Sequence, residues 1–441
     1  MQRSRSRRHR KVSGISEHST LELYLHGLGT IIGLGILILP ILTIVYYGLL
    51  SIYLVIAAGF LALLIGMLIY DISLRHRVDP YSFLKGVLGK EYSFLYGFLL
   101  VISFIITTIA AGLASMDELV AFFNLNPYVS LLIVDVIFVI MAVLLFYRVE
   151  KKSMNFIGAL KIFFVLLLIV VGSLAVYSVG ISPYPSAHVG YSFTLSDFGP
   201  IGVFSFVLVL FLWMYGGFES IPIVYRGKDR TKVAKALIFS VLSAMLIFFV
   251  IQTLVYLVSG YLSMNPHFVA SIASMFTANI STLIPGIGIG APIIIGLSIL
   301  VILTIAFALM NAGDKVLHDL SSDGILPHFM VKSEGYKLLF TALIPIIVIS
   351  AIGFLTASSS SESLLYISTI AISALVYVTT FFFLGVGYGV GAYKSRDAVR
   401  VAFSVITSLI LIALILTFPP GFLVGLAIIL IIALAGYILV K

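Results

Sequence analysis

Two short stretches place helix-weakening residues inside apolar runs that favour helices. Residues 29–40 read GTIIGLGILILP and residues 211–222 read FLWMYGGFESIP. Glycine and proline are the residues that most destabilise a helix. A break inside a membrane frees backbone N–H and C=O groups, which is tolerated only beside a cavity or within protein. Half-helix N–H groups suit a carboxylate, and freed carbonyls suit an ammonium or metal cation. The two stretches therefore predict a site for a small zwitterion, with close helix packing as the alternative explanation for the glycines.

Two charged residues lie inside apolar runs. Glu219 belongs to the second stretch, and Lys161 lies in NFIGALKIFFVLL, nine residues after Lys152. Nine helical residues span about 13 Å, close to the middle of a hydrocarbon core of about 30 Å. Charges at that depth are costly and often functional. A structural hydrogen bond for Glu219 and snorkelling or packing for Lys161 remain the alternatives.

The composition is that of an integral membrane protein with many spans. Of 441 residues, 61% are hydrophobic and 10% are charged, and the mean hydropathy is +1.20. This balance excludes a soluble domain. The sequence has no cysteine, no HExxH motif and no nucleotide-binding loop, so we expect neither an enzyme nor an ATP-driven pump. No cofactor and no bound metal are predicted.

Twelve apolar stretches reach helical length, and each is near or above the roughly 20 residues that a membrane crossing needs. They lie at about 21–47, 49–74, 93–123, 128–147, 156–180, 199–225, 234–262, 289–318, 338–357, 363–392, 398–417 and 420–440.

The distribution of lysine and arginine orients these spans. The basic tail at residues 1–20 and every second connection carry Lys and Arg, whereas the intervening connections carry none. Positive residues collect on the cytoplasmic side, so we expect a multi-pass cell-membrane protein with both termini inside. The net charge of +8 then follows from orientation, and nucleic acid is not an expected partner. We also expect a short helix over an outer vestibule within residues 265–292.

Three motifs resemble the amino acid–polyamine–organocation (APC) transporters. GLGILILP is similar to that family's first-span motif, and LWMYGGFES is similar to its sixth-span motif. NAGDKVLHDLSSDGILP is similar to its eighth-span end, with matches at Lys315, Asp323, Gly324, Leu326 and Pro327. The resemblance implies an all-α, LeuT-type fold with broken first and sixth helices. Two inverted five-helix repeats would occupy residues 21–180 and 199–392, followed by two additional helices at 398–440.

The resemblance also implies roles for individual residues. The unwound first span would bind the substrate carboxylate, and the sixth span would bind the amine through carbonyl groups. Trp213 would close over the substrate, with packing as its alternative. Lys161 would stand at a cation position and exchange a proton, because burial favours its neutral form, and Glu219 would respond to protonation. The substrate-binding residues so implied are Ile32, Gly33, Leu34, Gly35, Trp213, Tyr215, Gly216 and Gly217.

The implied function is secondary active transport of amino acids by alternating access, coupled to protons. An amino-acid or polyamine exchanger and a non-transporting membrane sensor remain the alternatives. Asp117 and Glu118 lie near the outer end of the third span, facing a vestibule or solvent, and Asp135 has no evident partner. We expect Asp71 and Arg75, four residues apart, to pair at the inner face. His26 is a weaker candidate for an inner gate.

Overall fold

The computed structural model describes residues 19–147, 150–181, 199–225, 229–259, 276, 290–324, 334–357 and 362–440. Within these ranges the chain is helical, with no strand. The basic tail at residues 1–18 lies outside the described residues. So do Leu326, Pro327 and, apart from residues 276 and 290–292, the expected outer helix within 265–292.

Fifteen helices make up the described fold, and Ile72–His76 continues the third as a π-helical turn. In chain order they are α1 Thr20–Ile31, α2 Leu34–Tyr47, α3 Leu50–Asp71, α4 Pro80–Leu88, α5 Lys90–Phe123, α6 Pro127–Phe146, α7 Glu150–Val179, α8 Gly199–Met214, α9 Ser220–Val224, α10 Arg230–Val258, α11 Gly290–Ser322, α12 Glu334–Ala357, α13 Glu362–Lys394, α14 Ala398–Leu416 and α15 Pro420–Val440.

Polar residues fix where several of these helices begin. Ser19 and Glu22 form a reciprocal capping box at the start of α1, with both side chain–backbone bonds 3.1 Å long. Asp79 and Asn126 cap α4 and α6 by accepting bonds from Ser82 N and Tyr128 N. Each cap satisfies N–H groups that a helix start leaves unpaired.

The helix lengths support a multi-pass membrane protein. Eight described helices are long and apolar enough to cross a bilayer, and the pair α1 and α2, bent by 42°, would be a ninth span. Three further apolar helices are shorter, at Ile201–Met214, Ala342–Leu355 and Pro420–Ala435. Every one of the twelve expected positions therefore holds an apolar helix, but the count of twelve crossings stays a prediction.

Helices α5, α11 and α13 form the centre of the bundle. In each of them 78% of the most apolar window is buried, against 33% in α6 and 28% in α14. The outer helices turn large apolar side chains outward, such as Leu132 in α6 and Leu409 in α14. A helix that is apolar all round needs lipid or protein on every side, so these exposed faces are lipid-facing.

The helix pairings are those expected of two related halves. Where a helix of the first half packs on a helix of the second, the counterparts of these two helices also pack on each other. Helix α1 packs on α10 while α3 packs on α8, and α5 packs on α13 while α7 packs on α11. Helices α3 and α10, α5 and α11, and α6 and α12 pack on their own counterparts. This pattern supports an inverted five-plus-five arrangement; the repeat boundaries at 21–180 and 199–392 remain predictions.

Helices α1 and α7 cross at a pair of glycines. A Cβ atom on Gly29 would lie 2.7 Å from the Gly158 Cα, and one on Gly158 would lie 2.5 Å from the Leu25 carbonyl oxygen. Both distances are shorter than real carbon contacts, and the neighbours are backbone atoms that cannot rotate away. Small residues of this kind let membrane helices approach closely.

We predict that Gly158→Ala lowers the free energy of unfolding by about 1–3 kcal/mol, because overpacking forces the α1 and α7 backbones apart. The matched control is Gly296→Ala in α11, where an added Cβ has open space around it. The measurement is the thermal unfolding midpoint of each purified variant in detergent. Equal midpoints for the two variants would contradict the proposed contact.

Candidate substrate site

The first helix break lies between α1 and α2. Ile32 N still donates to Leu28 O at 2.9 Å, but Gly33 is extended, with φ −165° and ψ −141°. Gly33 is the N-cap of α2 and provides no side-chain hydrogen bond. The first turn of α2 therefore presents N–H groups without a side-chain cap, which is the arrangement that favours an anion.

The second break joins α8 to α9 through residues 215–219. Gly216 N donates to Trp213 O at 2.8 Å, which tightens the end of α8. Gly217 has φ +113°, a conformation that L side chains rarely adopt. A Cβ there would also lie 2.6 Å from the Thr30 carbonyl oxygen. Position 217 thus requires glycine for two independent reasons.

The two breaks contact each other directly. Thr30 Oγ1 shares its one hydrogen between Gly27 O at 2.8 Å and Gly217 O at 3.1 Å. Ser220 donates to Gly217 O through Oγ at 2.6 Å and through N at 3.0 Å. A Cβ on Gly35 would lie 2.9 Å from the Met214 Cα. The Gly217 carbonyl, expected to meet a substrate amine, is therefore already occupied by protein donors in this conformation.

Lys161 is a residue of α7 whose side chain reaches the C-terminal end of α1. Its side chain is fully buried, and Nζ donates to Gly29 O at 2.7 Å. In a continuous helix this carbonyl would accept from residue 33, and the break leaves it for another donor. A cation at a helix C-terminus is also favoured by the helix dipole. Lys161 thus ends inside the protein and does not snorkel.

Glu219 lies in the second break and is fully buried. Its Oε2 accepts from Gly217 N at 2.9 Å and from Tyr377 OH at 3.1 Å. Its Oε1 has no hydrogen-bond partner among the described residues. A buried oxygen without a donor is costly, so this carboxyl group has unused capacity for a proton or a ligand.

The aromatic residues at the end of α8 point in opposite directions. Trp213 Nε1 donates to Thr107 Oγ1 at 3.2 Å and to Ser373 Oγ at 3.1 Å, and these two hydroxyl oxygens are 2.7 Å apart. Tyr215 instead donates to Val55 O at 3.0 Å and packs on Phe248. Trp213 therefore joins α8 to α5 and α13, whereas Tyr215 anchors it to α3 and α10.

A small cavity lies where the breaks meet α5, α11 and α13. Its volume is about 20 Å³, which is room for about one water molecule. An amino acid does not fit in this conformation. The cavity is lined by Ile31, Leu34, Gly35, Ser103, Phe104, Thr107, Trp213, Met214, Gly216, Gly217, Glu219, Ile305, Leu309 and Tyr377.

Five of the eight expected binding residues line this cavity, and Ile32, Gly33 and Tyr215 do not. Sequence reasoning missed Thr107 and Tyr377, along with the apolar walls from α5 and α11. Hydroxyl residues are common in membrane helices, and an all-round apolar helix has no periodicity to show which face is inward. The hydroxyls of α5 and α13 therefore gave no distinct signal.

The remaining acids lie away from the cavity. Asp135 Oδ2 accepts from Ser350 Oγ at 2.8 Å, which supplies the partner that the sequence did not reveal. Glu118 is buried and Asp117 is partly exposed near the C-terminal end of α5. His26 is buried in α1, with its ring 5.0 Å from that of Tyr225.

Two charged clusters lie at helix ends, one around Asp71 at the end of α3 and one around Asp323 at the end of α11. The expected pair of Asp71 and Arg75 is confirmed, with a 2.6 Å contact, and Arg400 and Tyr388 also bind Asp71. Asp323, from the third motif, accepts from Tyr81 OH at 2.7 Å and pairs with Lys85. These clusters join α3 to α13 and α14, and α4 to the end of α11.

Two broken helices that meet at a buried cavity, within a bundle of apolar spans, define a multi-pass membrane transporter. A family model described as amino acid permease matches residues 19–439, and the chain belongs to that family. The APC resemblance and its LeuT-type fold are thereby confirmed. Membership of a permease family indicates transport and not enzymatic catalysis.

Solved structures with the same fold come from a manganese transporter of Eremococcus coleocola. A single-residue mutant is 17% identical with a TM-score of 0.56, covering 95% of this chain and 94% of that one. A complex with an aromatic bis-isothiourea substituted compound has the same identity and TM-score, covering 97% and 95%. At this identity the likeness shows the fold alone. A search of curated proteins finds no sequence that matches the chain.

We predict that Thr30→Val lowers the free energy of unfolding by about 1 kcal/mol, because Gly27 O within α1 and Gly217 O in the other break both lose a buried donor. The matched control is Thr253→Val in α10, which removes only a bond to Phe249 O within one helix. Thermal unfolding midpoints of the two purified variants provide the measurement. An effect of Thr253→Val as large as that of Thr30→Val would argue against a special role for the contact.

Proposed function

We propose that this chain transports amino acids by alternating access, driven by coupling to protons. The proposal extends the family's transport function to a substrate class, a coupling ion and an orientation. We place the protein in the cell membrane with both termini on the cytoplasmic side, since lysine and arginine collect in every second connection.

One observation carries the proposal: both helix breaks face a single cavity with groups of opposite character. Leu34 and Gly35, at the start of α2, offer N–H groups that suit a carboxylate. Glu219 offers a buried carboxyl oxygen without a hydrogen-bond donor, which suits an ammonium. A zwitterion would satisfy both at once.

The small size of the cavity supports alternating access. Because the cavity holds about one water, a substrate must separate the elements that line it. We propose that a bundle containing the broken helices rocks against α5, α6, α11 and α12. The contacts of Gly35 with Met214 and of Thr30 with Gly217 would keep the two breaks together during this motion.

Two buried ionisable residues support proton coupling. Lys161 places a cationic donor on the end of α1, where a bound metal cation would otherwise stabilise the freed carbonyl. Glu219 lies in the other break and accepts a hydrogen bond from the backbone N–H of Gly217. Both side chains are thus placed where a change of charge would act on a broken helix.

A divalent metal ion is the second candidate substrate, because the similar solved structures are of a manganese transporter. Mn²⁺ prefers several carboxylate, carbonyl or water oxygens. In the described part of the chain no three His, Cys, Asp or Glu side chains come together. Glu219 is the single acidic residue lining the described cavity. This donor set favours an amino acid over a metal ion.

The deciding experiment is uptake of a labelled amino-acid mixture into proteoliposomes, with and without an inward proton gradient. Accumulation that collapses with the gradient supports the proposal. Uptake that needs only internal amino acid indicates an exchanger. Uptake of polyamines or Mn²⁺ in place of amino acids, or no flux at all, contradicts it.

We predict that Lys161→Ala abolishes proton-driven uptake, because the freed Gly29 carbonyl loses its cationic donor. Uptake by the unmodified protein should be insensitive to sodium. The control is Lys394→Ala, which removes an exposed amine at the end of α13. This amine donates to Val87 O in α4. Sodium-stimulated uptake, or full gradient-driven uptake by Lys161→Ala, would show that Lys161 does not fill a cation position.

We predict that Glu219→Gln flattens the pH dependence of uptake, because the amide cannot titrate, and raises the KM, because it offers the substrate ammonium no negative charge. The matched control is Asp135→Asn, which neutralises another membrane-embedded acid remote from the cavity and should leave the pH profile intact. Uptake is measured across a pH series at fixed protein content. An unchanged profile for Glu219→Gln would assign proton coupling to another group.

A further inference from the structure

We propose that the substrate is an amino acid with an uncharged, apolar side chain, held against Phe104, Ile305 and Leu309. This inference rests on the proposed function and adds the substrate class and the residues that select it. The three side chains come from α5 and α11, line the cavity and are almost fully buried.

The charge of the cavity selects against ionic side chains. Glu219 is the one charged residue among the described lining residues. A lysine-like or polyamine substrate carries two cationic groups and would find a single carboxyl group for both. An acidic side chain would need a cation, and the buried Lys161 is bound to Gly29 O and is not among the lining residues. Burying an unpaired charge is strongly unfavourable, so both classes are rejected.

The hydroxyl groups on the α5 and α13 side of the cavity bind one another. Thr107 shares a hydrogen bond with Ser373, and both hydroxyls accept from the Trp213 indole N–H. Ser373 Oγ also lies within hydrogen-bond distance of Ser103 O. A substrate hydroxyl or amide would have to disrupt this network to find a partner. A polar side chain buried without one is disfavoured, so serine-like and glutamine-like substrates are poor ligands.

Ile305 limits the size of the pocket. A Cβ on Gly33 would lie 2.5 Å from Ile305 Cδ1, so this side chain lies directly against the first break. Leu309 is one turn further along α11 and lies on the same face. With Ile305 in place, this wall leaves less room for an aromatic side chain than a smaller residue would. In apolar pockets a single methylene changes selectivity by about 10- to 200-fold.

The test is competition against uptake of labelled valine or leucine by the full chain in proteoliposomes. Unlabelled valine, leucine, phenylalanine, serine, lysine and glutamate are the competitors. The variant is Ile305→Ala, and Ile305→Val provides a milder change if the first folds poorly. Leu300→Ala is the matched control, since Leu300 lies on the same helix with 42% of its surface exposed.

We expect valine and leucine to compete, and serine, lysine and glutamate to fail at tenfold higher concentration. Ile305→Ala should raise the ratio of phenylalanine to valine affinity by about tenfold, with no change for Leu300→Ala. If amino acids are transported but lysine, glutamate or serine competes best, the inference fails while the proposed function stands. An unchanged ratio in both Ile305 variants also overturns it. If no amino acid is transported, the proposed function fails and the inference with it.

Discussion

The structure depends on how the backbone groups freed by two breaks in membrane helices find partners. Lys161 donates to Gly29 O at the first break, and Thr30 and Ser220 donate to Gly217 O at the second. Glu219 accepts from Gly217 N. Each group would otherwise cost several kcal/mol in an apolar environment. These bonds leave the start of α2 and one oxygen of Glu219 as the groups that face the cavity without such a partner among the described residues.

This arrangement ties ionisable side chains to backbone geometry. A charged donor makes a hydrogen bond roughly twice as strong as a neutral one. Any change of charge at Lys161 therefore changes how firmly α7 holds the end of α1, and any change at Glu219 acts on the turn between α8 and α9. The glycines at 29, 158 and 217 bring the backbones close enough for these bonds. The proposed coupling between protonation and helix position would need no long pathway, because both ionisable side chains contact the broken helices themselves.

The sequence predicted the breaks because glycine and proline are conspicuous in apolar runs, and it predicted the buried charges because a charge there is costly. It could not predict which atoms they bind. The bond from Lys161 to Gly29 joins residues 132 positions apart and exists only because α1 and α7 cross at glycines. Tyr215 and Trp213 are two residues apart, and nothing in their spacing indicates that one points to α3 and the other to the cavity. Side-chain direction at an unwound segment follows no helical period, so tertiary packing decides it.

The charged clusters away from the cavity bear on which parts can move. Asp323 joins α4 to the end of α11, and α11 belongs to the set that we propose as the scaffold. Asp71 joins α3, which packs on α8 and α10, to Arg400 of α14 at 3.4 Å. The Asp71 and Arg400 side chains are 20% and 15% exposed, so most of this ion pair is buried. These clusters fix the register of the helix ends. The glycine contacts between backbones are a stiffer constraint, since they have no side chain to rearrange. In the motion that we propose, the two breaks therefore stay together and move as one unit away from α5 and α11.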